Sequence, residues 1–244
     1  MDSPVFGFGH GTLMYQNTAL TWNDGVLLLR GLGMTLFVFG VSFAAGSMAG
    51  FALALVKQAR IRVLAPLAAV YVELFRNSPL LVQLFLVYFG VPMIASVQFS
   101  PVAAGLLTLS INTSAFMAVI VQSAIEEVPS GQWEAARASA LGYRQIMRWV
   151  VLPQAVRAAI PPTISLAVGQ LQVSSLVSII GVLDLTKAGT MLNLRTLAPF
   201  AVWPLVALGY FAVSKPLSLL ADYAERRLSS QADRVAEARP KGAL

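Results

Sequence analysis

"GQWEAARASALGYRQIMRWVVLPQA", residues 131–155, interrupts an otherwise very hydrophobic chain. It carries Glu134 and three arginines, Arg137, Arg144 and Arg148, between apolar runs long enough to cross a bilayer. Residues 131–152 read as two short helices. The first runs from about Gly131 to Ala140, with Glu134 and Arg137 at i, i+3, a pair that supports an isolated helix only weakly. Gly142 is placed to end it. Ala140 is expected to stay helical, because a residue with a Cβ disfavours positive φ. The second, "YRQIMRWVVL", sets Ile146, Trp149 and Val150 on one face and Arg144 and Arg148 on the other, and Pro153 is expected to end it. On pattern alone the island is either an amphipathic helix lying on the inner leaflet or a docking element for a cytoplasmic protein. In the second case small alanines allow close approach and Glu134 offers a charge to pair.

The island's surroundings are those of an integral membrane protein. The 244 residues are 57% hydrophobic and 11% charged, where soluble domains carry about 25% charged residues; the mean hydropathy is +0.72. There is no cysteine, which excludes disulfides and thiolate metal sites. The single histidine, His10, is too little for a metal site, which needs several ligands. Residues 1–25 have no basic start followed by an apolar run and small residues, so the first apolar segment is expected to stay in the protein.

A spanning helix needs about 20 mainly apolar residues, and five segments qualify: 26–56, 63–91, 101–125, 157–182 and 199–221. Lys and Arg collect in alternate connections. Lys57, Arg60 and Arg62 follow the first segment, the island's arginines and Arg157 follow the third, and Arg226, Arg227, Arg234, Arg239 and Lys241 follow the fifth. The other side has Lys187, Arg195 and, if it snorkels, Arg30. The expectation is an all-α, five-span chain with its N-terminus outside and its C-terminus cytoplasmic. The charge of +6 then reports membrane topology rather than nucleic-acid binding. The tail 229–244 is polar and expected to be mobile. No inverted duplication is visible, so a pore is expected to need a partner subunit.

Polar groups inside spans are costly and face a cavity or another helix. In the second segment Glu73 and Arg76 are spaced to meet on one helix face. Pro79 removes a helical bond and restricts the residue before it, so a break near Asn77–Ser78 is expected. Arg76 lies ~24 Å from Pro92 if the helix is straight, in the inner part of the membrane. Glu73, Arg76 and Gln83 serve either packing and gating or substrate contact. The third segment carries Asn112 and Gln122. The fourth carries Gln170, Gln172, Ser174 and Ser175, and Gln170, Ser174 and Ser178 recur at i, i+4 as a stripe that either packs or lines a path. No stretch fits the phosphate loop G-x-x-x-x-G-K-[ST]. The glycines of "GLGMTLFVFG" (31–40) lie in an apolar span and are expected to allow close helix packing. No catalytic residue is expected.

"EAA" at 134–136 followed by "LP" at 152–153 resembles the EAA loop of permease subunits of ATP-binding-cassette (ABC) importers. "GQWEAAR…YRQ…VVLPQAVRAAIPP" resembles the polar amino-acid branch, of histidine, glutamine and glutamate type. "YVELFRNSPLLVQLFLVYFGVP" (71–92), "SSLVSIIGVLDLT" (174–186) and "KPLSLLADYAERRL" (215–228) are similar to further motifs of that branch, in order along residues 26–228. The resemblance implies a type I importer-permease (MetI-like) architecture in the bacterial inner membrane. It implies ATPase coupling through Gln132, Glu134, Ala135, Ala136, Arg137, Ala140, Gly142, Leu152 and Pro153. Glu73, Arg76, Asn77, Ser78, Pro79, Gln83, Asn112, Gln122, Gln170, Gln172, Ser174 and Ser175 form the candidate path or gate. The implied partners are ABC ATPase subunits holding ATP and Mg, a second permease subunit and an extracytoplasmic solute-binding protein, with no cofactor on this chain.

The family usually has glycine at Ala140. It often has charges where this chain has Val119, Gln122, Gln172 and Val173, Thr where it has Ser174, and Asn at Ser165. These replacements point to pairing with a different permease that keeps the charges, or to a less charged path in a homodimer. The competing reading, a passive channel or secondary transporter, needs internal symmetry or a filter motif, and neither is visible. A membrane-embedded enzyme needs clustered His, Cys or carboxylates.

Overall fold

The computed structural model describes residues 20–59 and 61–237. The segment 1–19 with His10, Arg60, and residues 238–244 lie outside the described residues. The first apolar segment forms α1, Trp22–Gln58, and the third forms α4, Pro101–Glu126. The buried residues of α1 include Gly31, Thr35, Val38, Ser42, Gly46, Gly50 and Ala54, a face of mostly small side chains repeating every three or four positions. Small residues let helix backbones approach closely, which is how helices gain packing energy where lipid removes the hydrophobic drive. A Cβ on Gly46 would lie 2.5 Å from Thr113 Cβ, and one on Gly50 2.5 Å from the Ser114 carbonyl oxygen. α1 therefore lies directly on α4. Of the glycines in 31–40, Gly31 packs closely, 2.8 Å from the Asp184 carbonyl by the same measure, whereas Gly33 and Gly40 would meet nothing within 4 Å.

α4 is the central helix, packed against α1, against α6 (Tyr143–Ile180) and against the pair α2 (Leu64–Arg76) and α3 (Leu80–Ala95). The second apolar segment is broken at the expected place: α2 and α3 meet at 106°. Asn77 leaves the helical region at φ −99°, ψ 9°, and Pro79 is extended at ψ 131°. The straight-helix distance from Arg76 to Pro92 does not hold, because the chain turns between them.

Pro153 does not end a helix. α6 runs through it, because Met147–Val151 widen into a π-turn in which the Leu152 N–H bonds to the Met147 carbonyl oxygen. Pro153 then falls in the first α-turn after that bulge, where a missing N–H costs little. The island's second helix and the fourth span are thus one helical run.

The connection between the last two spans contains a further helix, α7, Leu185–Thr196. Asp184 caps it, accepting the Lys187 N–H at 2.8 Å. The Asp184 carboxylate is fully buried and also accepts from the Tyr210 hydroxyl at 3.3 Å. The Leu185 N–H bonds to Thr35 Oγ1 at 3.1 Å, tying α7 to α1. At its other end Arg195 pairs with the buried Asp24 of α1 at 2.6 Å, and Asp24 also takes the Thr21 N–H at 2.7 Å. The last helix, α8, spans Pro199–Glu237. It is longer than a bilayer requires, and it carries helical backbone through residues 229–237 of the tail expected to be mobile.

Two outcomes follow from this packing. Gly50→Val should lower stability by about 2 kcal/mol, as overpacking does, read as a drop in the melting temperature of the detergent-solubilised protein. Burial raises the Asp184 carboxyl from 3.8 to about 6, against the hydrogen bonds from Lys187 and Tyr210. Folding therefore favours the protonated form. This contribution is present below the unfolded value of 3.8 and is lost as pH rises through about 6. Asp184→Asn, which keeps a capping side chain, should flatten that part of the stability–pH curve between pH 4 and 7.

Candidate functional site

The island's first helix is α5, Ser130–Ala138. Ala136 is buried and packs with Ile146, Met147 and Val151 of α6, and this cluster is continuous with Ala54 of α1 and Ile125 of α4. Glu134, Ala135 and Arg137 are exposed on the other sides of α5, and Gln132, one turn before Ala136 on the same stripe, is exposed as well. Of the nine expected coupling residues, these four are exposed on α5, and Ala140 and Gly142 are exposed in the turn that follows. Ala136 belongs to the core, and Leu152 and Pro153 lie at the base of the span in α6.

The expectation for the turn is reversed. Ala140 adopts φ 59°, and Gly142 is extended at φ −71°, ψ 157°. The Ala140 N–H bonds to the Arg137 carbonyl and the Leu141 N–H to the Ala136 carbonyl. This is the Schellman arrangement, which needs a left-handed residue one position after the C-cap Ser139. Gly142 is two residues too late for it. Gly142 serves as the N-cap of α6, with its N–H held by Gln145 Oε1 at 2.9 Å. The hydrogen-bond register of α5 overrides the steric preference of alanine.

Glu134 and Arg137 do not form an ion pair with each other. Both line an open cleft of about 610 Å³ with Trp133, Tyr143 and Gln58. The Tyr143 hydroxyl donates to the Gln58 carbonyl at 3.3 Å, and its ring stacks on Trp133 at 6.5 Å. The end of α1 is thereby tied to the island. Sequence reasoning missed this tie, since the two residues are far apart in the chain and each alone reads as an ordinary interfacial side chain.

Along the candidate path the buried and exposed residues have different roles. Gln83 is buried, and its Nε2 donates to the Phe75 and Ser78 carbonyls at 2.8 and 3.1 Å and to Ser78 Oγ at 2.9 Å. Asn112 Nδ2 approaches Phe75 O and Gln83 Oε1 at 3.4 Å. These two amides satisfy carbonyls freed by the α2–α3 break. Glu73 and Arg76 do not pair; Asn77 Nδ2 donates to Glu73 Oε2 at 2.7 Å, and Glu73, Arg76, Asn77 and Pro79 are exposed.

The stripe of Gln170, Ser174 and Ser178 faces inward. Gln170 Nε2 donates to the Leu109 carbonyl at 3.2 Å, and the serines bond within their own helix. Ser175 bonds to the Gln172 carbonyl, and Gln122 donates to Glu126. Gln172 is exposed, on the same side of α6 as Ser165 and Gly169, which recur three and four residues apart.

A bundle of apolar helices around a central helix, with a basic two-helix island packed on its base, is the architecture of a transport permease. The chain belongs to the family of binding-protein-dependent transport system inner membrane components, whose family model matches residues 28–230. It is 34% identical over 211 residues to the probable amino-acid ABC transporter permease protein YckA of Bacillus subtilis (strain 168), covering 86% of this chain and 93% of that one. It is 34% identical over 213 residues to the probable glutamine ABC transporter permease protein GlnM of the same organism, covering 87% and 98%. A crystal structure of an amino acid ABC transporter with histidines matches with a TM-score of 0.79 at 33% identity, over 86% of this chain and 99% of that one. The inward-facing MetNI methionine ABC transporter matches with a TM-score of 0.68 at 21% identity, over 84% and 99%, a likeness of fold. The chain is a multi-pass inner-membrane permease subunit, and the ABC importer reading of its sequence stands.

The turn supplies the prediction for this site. Ala140→Gly should relieve the left-handed strain and stabilise the protein by about 1 kcal/mol, seen as a higher melting temperature with transport retained.

Proposed function

We propose that this permease carries a polar amino acid or a related small solute inward, by alternating access, and that its island is where an ABC ATPase subunit docks. The observation that carries the reading is the two-sidedness of α5. Ala136 is locked into the core shared by α1, α4 and α6, while Glu134, Ala135 and Arg137 are exposed. A displacement of the docked surface is then transmitted to three spans together rather than absorbed by a loop. The similarity to amino-acid and glutamine permeases supports the solute class.

In this reading the N-terminus lies outside and the island and the C-terminus are cytoplasmic, which the alternation of Lys and Arg supports. ATP and Mg are bound by the ATPase partner. An extracytoplasmic binding protein delivers the solute and supplies much of the selectivity. The exposed side of α6 with Ser165, Gly169 and Gln172 and the exposed Glu73, Arg76 and Asn77 at the helix break contribute to the path. Because charges usual in this branch are neutral here, the second permease subunit is a different chain that retains them.

Affinity purification of the tagged chain from mild detergent should recover an ATPase and a second permease. Recovery of self-pairs alone would exclude the mixed dimer. Glu134→Lys should leave membrane insertion unchanged and lower ATP-driven uptake at least roughly tenfold, equivalent to ~1.4 kcal/mol of docking energy. Wild-type uptake by that variant would refute docking through this surface.

A further inference from the structure

Below the island, α1, α4 and α6 leave a groove of about 450 Å³ between them. Phe51, Met117, Val121 and Ala159 line it, and Met48 and Ile160, 75% and 41% exposed, stand at its mouth. α1 and α6 run in opposite directions, since Tyr143 at the start of α6 bonds to Gln58 at the end of α1. Phe51 is seven residues from that bond, ~10 Å along the helix. The groove follows α6 from Leu152 to Ile164, ~18 Å. It therefore runs from the island end to a little past the middle of a hydrocarbon layer ~30 Å thick.

One helical turn beyond the groove toward the island, Arg148 lies 5.2 Å from the ring centroid of Trp149, which is 68% exposed. Arg148 is exposed and no carboxylate pairs with it. A cation and an aromatic at this level match the composition of the membrane–water boundary. The π-turn at Met147–Val151 joins this pair to the groove without a break in the helix. The amphipathic character of "YRQIMRWVVL" is thus divided: Ile146 is buried in the core, while Trp149 and Arg148 face outward.

We propose that this groove is a binding site for one anionic phospholipid, with an acyl chain lying along α6 and the phosphate on Arg148. The inner leaflet is its source, a placement that rests on the cytoplasmic position of the island. The dimensions favour a lipid over a helix of a second permease. A helix is ~10 Å across, whereas a single extended acyl chain is far thinner. Apolar walls below an unpaired cation complement an anionic amphiphile. A bound lipid would contact α1, α4 and α6, the three spans that share the island's core.

The test uses the full chain with its co-expressed partners in phosphatidylcholine vesicles containing phosphatidylglycerol with a photoactivatable acyl chain in both leaflets, so the groove is tested apart from orientation. After irradiation, labels should concentrate on Phe51, Ala159 and Ile160 and be competed by unlabelled phosphatidylglycerol rather than phosphatidylcholine. Arg148→Gln should weaken that competition about fivefold, the loss of one cation near the membrane surface. Ile160→Trp should remove groove labelling and leave labelling of the exposed Phe211 intact. If Ile160→Trp fails to insert, Arg148→Gln alone decides, as its side chain is exposed. Labels spread evenly over exposed apolar residues such as Leu208 and Phe211 would overturn the proposal. So would labels from a second permease helix cross-linked into the groove.

Discussion

The small-residue seam of α1 is the contact on which the rest of the structure depends. Between helices in lipid, association comes from close packing and hydrogen bonds rather than from removal of water. Gly46 and Gly50 place the α1 backbone against Ser110–Met117 of α4, where even a methyl group would collide. Gly31 and Thr35 extend the same seam to the start of α7. At the other end Gln58 is bonded to Tyr143. One helix therefore joins the island side of the bundle to the opposite side, and no proline interrupts it.

Polar groups buried in the bundle are used to hold irregular backbone. A chain bent by 106° inside a membrane frees carbonyl groups that lipid cannot satisfy. Gln83 and Asn112 supply donors from α3 and α4, so the break is a built feature with a fixed geometry. Asp184 plays a comparable part at the end of α6, capping α7 from a fully buried position. The Asp24–Arg195 pair fastens the far end of α7 to the beginning of α1. Glu73, Arg76, Gln172 and Glu134, by contrast, are exposed.

The two faces of the island differ in chemistry. Ala136, Ile146, Met147 and Val151 are apolar and buried in one cluster. Glu134 and Arg137 are close in sequence but stay unpaired at the edge of an open cleft. Had they paired, the surface would offer a partner less charge to bind.

The sequence by itself determined much. Apolar run length and the placement of basic residues specify a five-segment membrane bundle, the proline at 79 marks the broken span, and the motif order from Glu134 to Pro153 identifies the permease family. These features are local, and local chemistry carries them. Only the tertiary structure decided the rest. Whether Gln83 and Gln170 face a path or a carbonyl depends on which helix lies opposite. Whether Pro153 stops a helix depends on a π-turn that packing of Met147 and Val151 supports. Ala140 takes the left-handed position because the bonds to Ala136 and Arg137 fix the register of the turn, and the sequence pattern alone favoured Gly142. The ties of Tyr143 to Gln58 and Asp24 to Arg195 join residues 85 and 171 positions apart, and no periodicity within a helix encodes a contact at that separation.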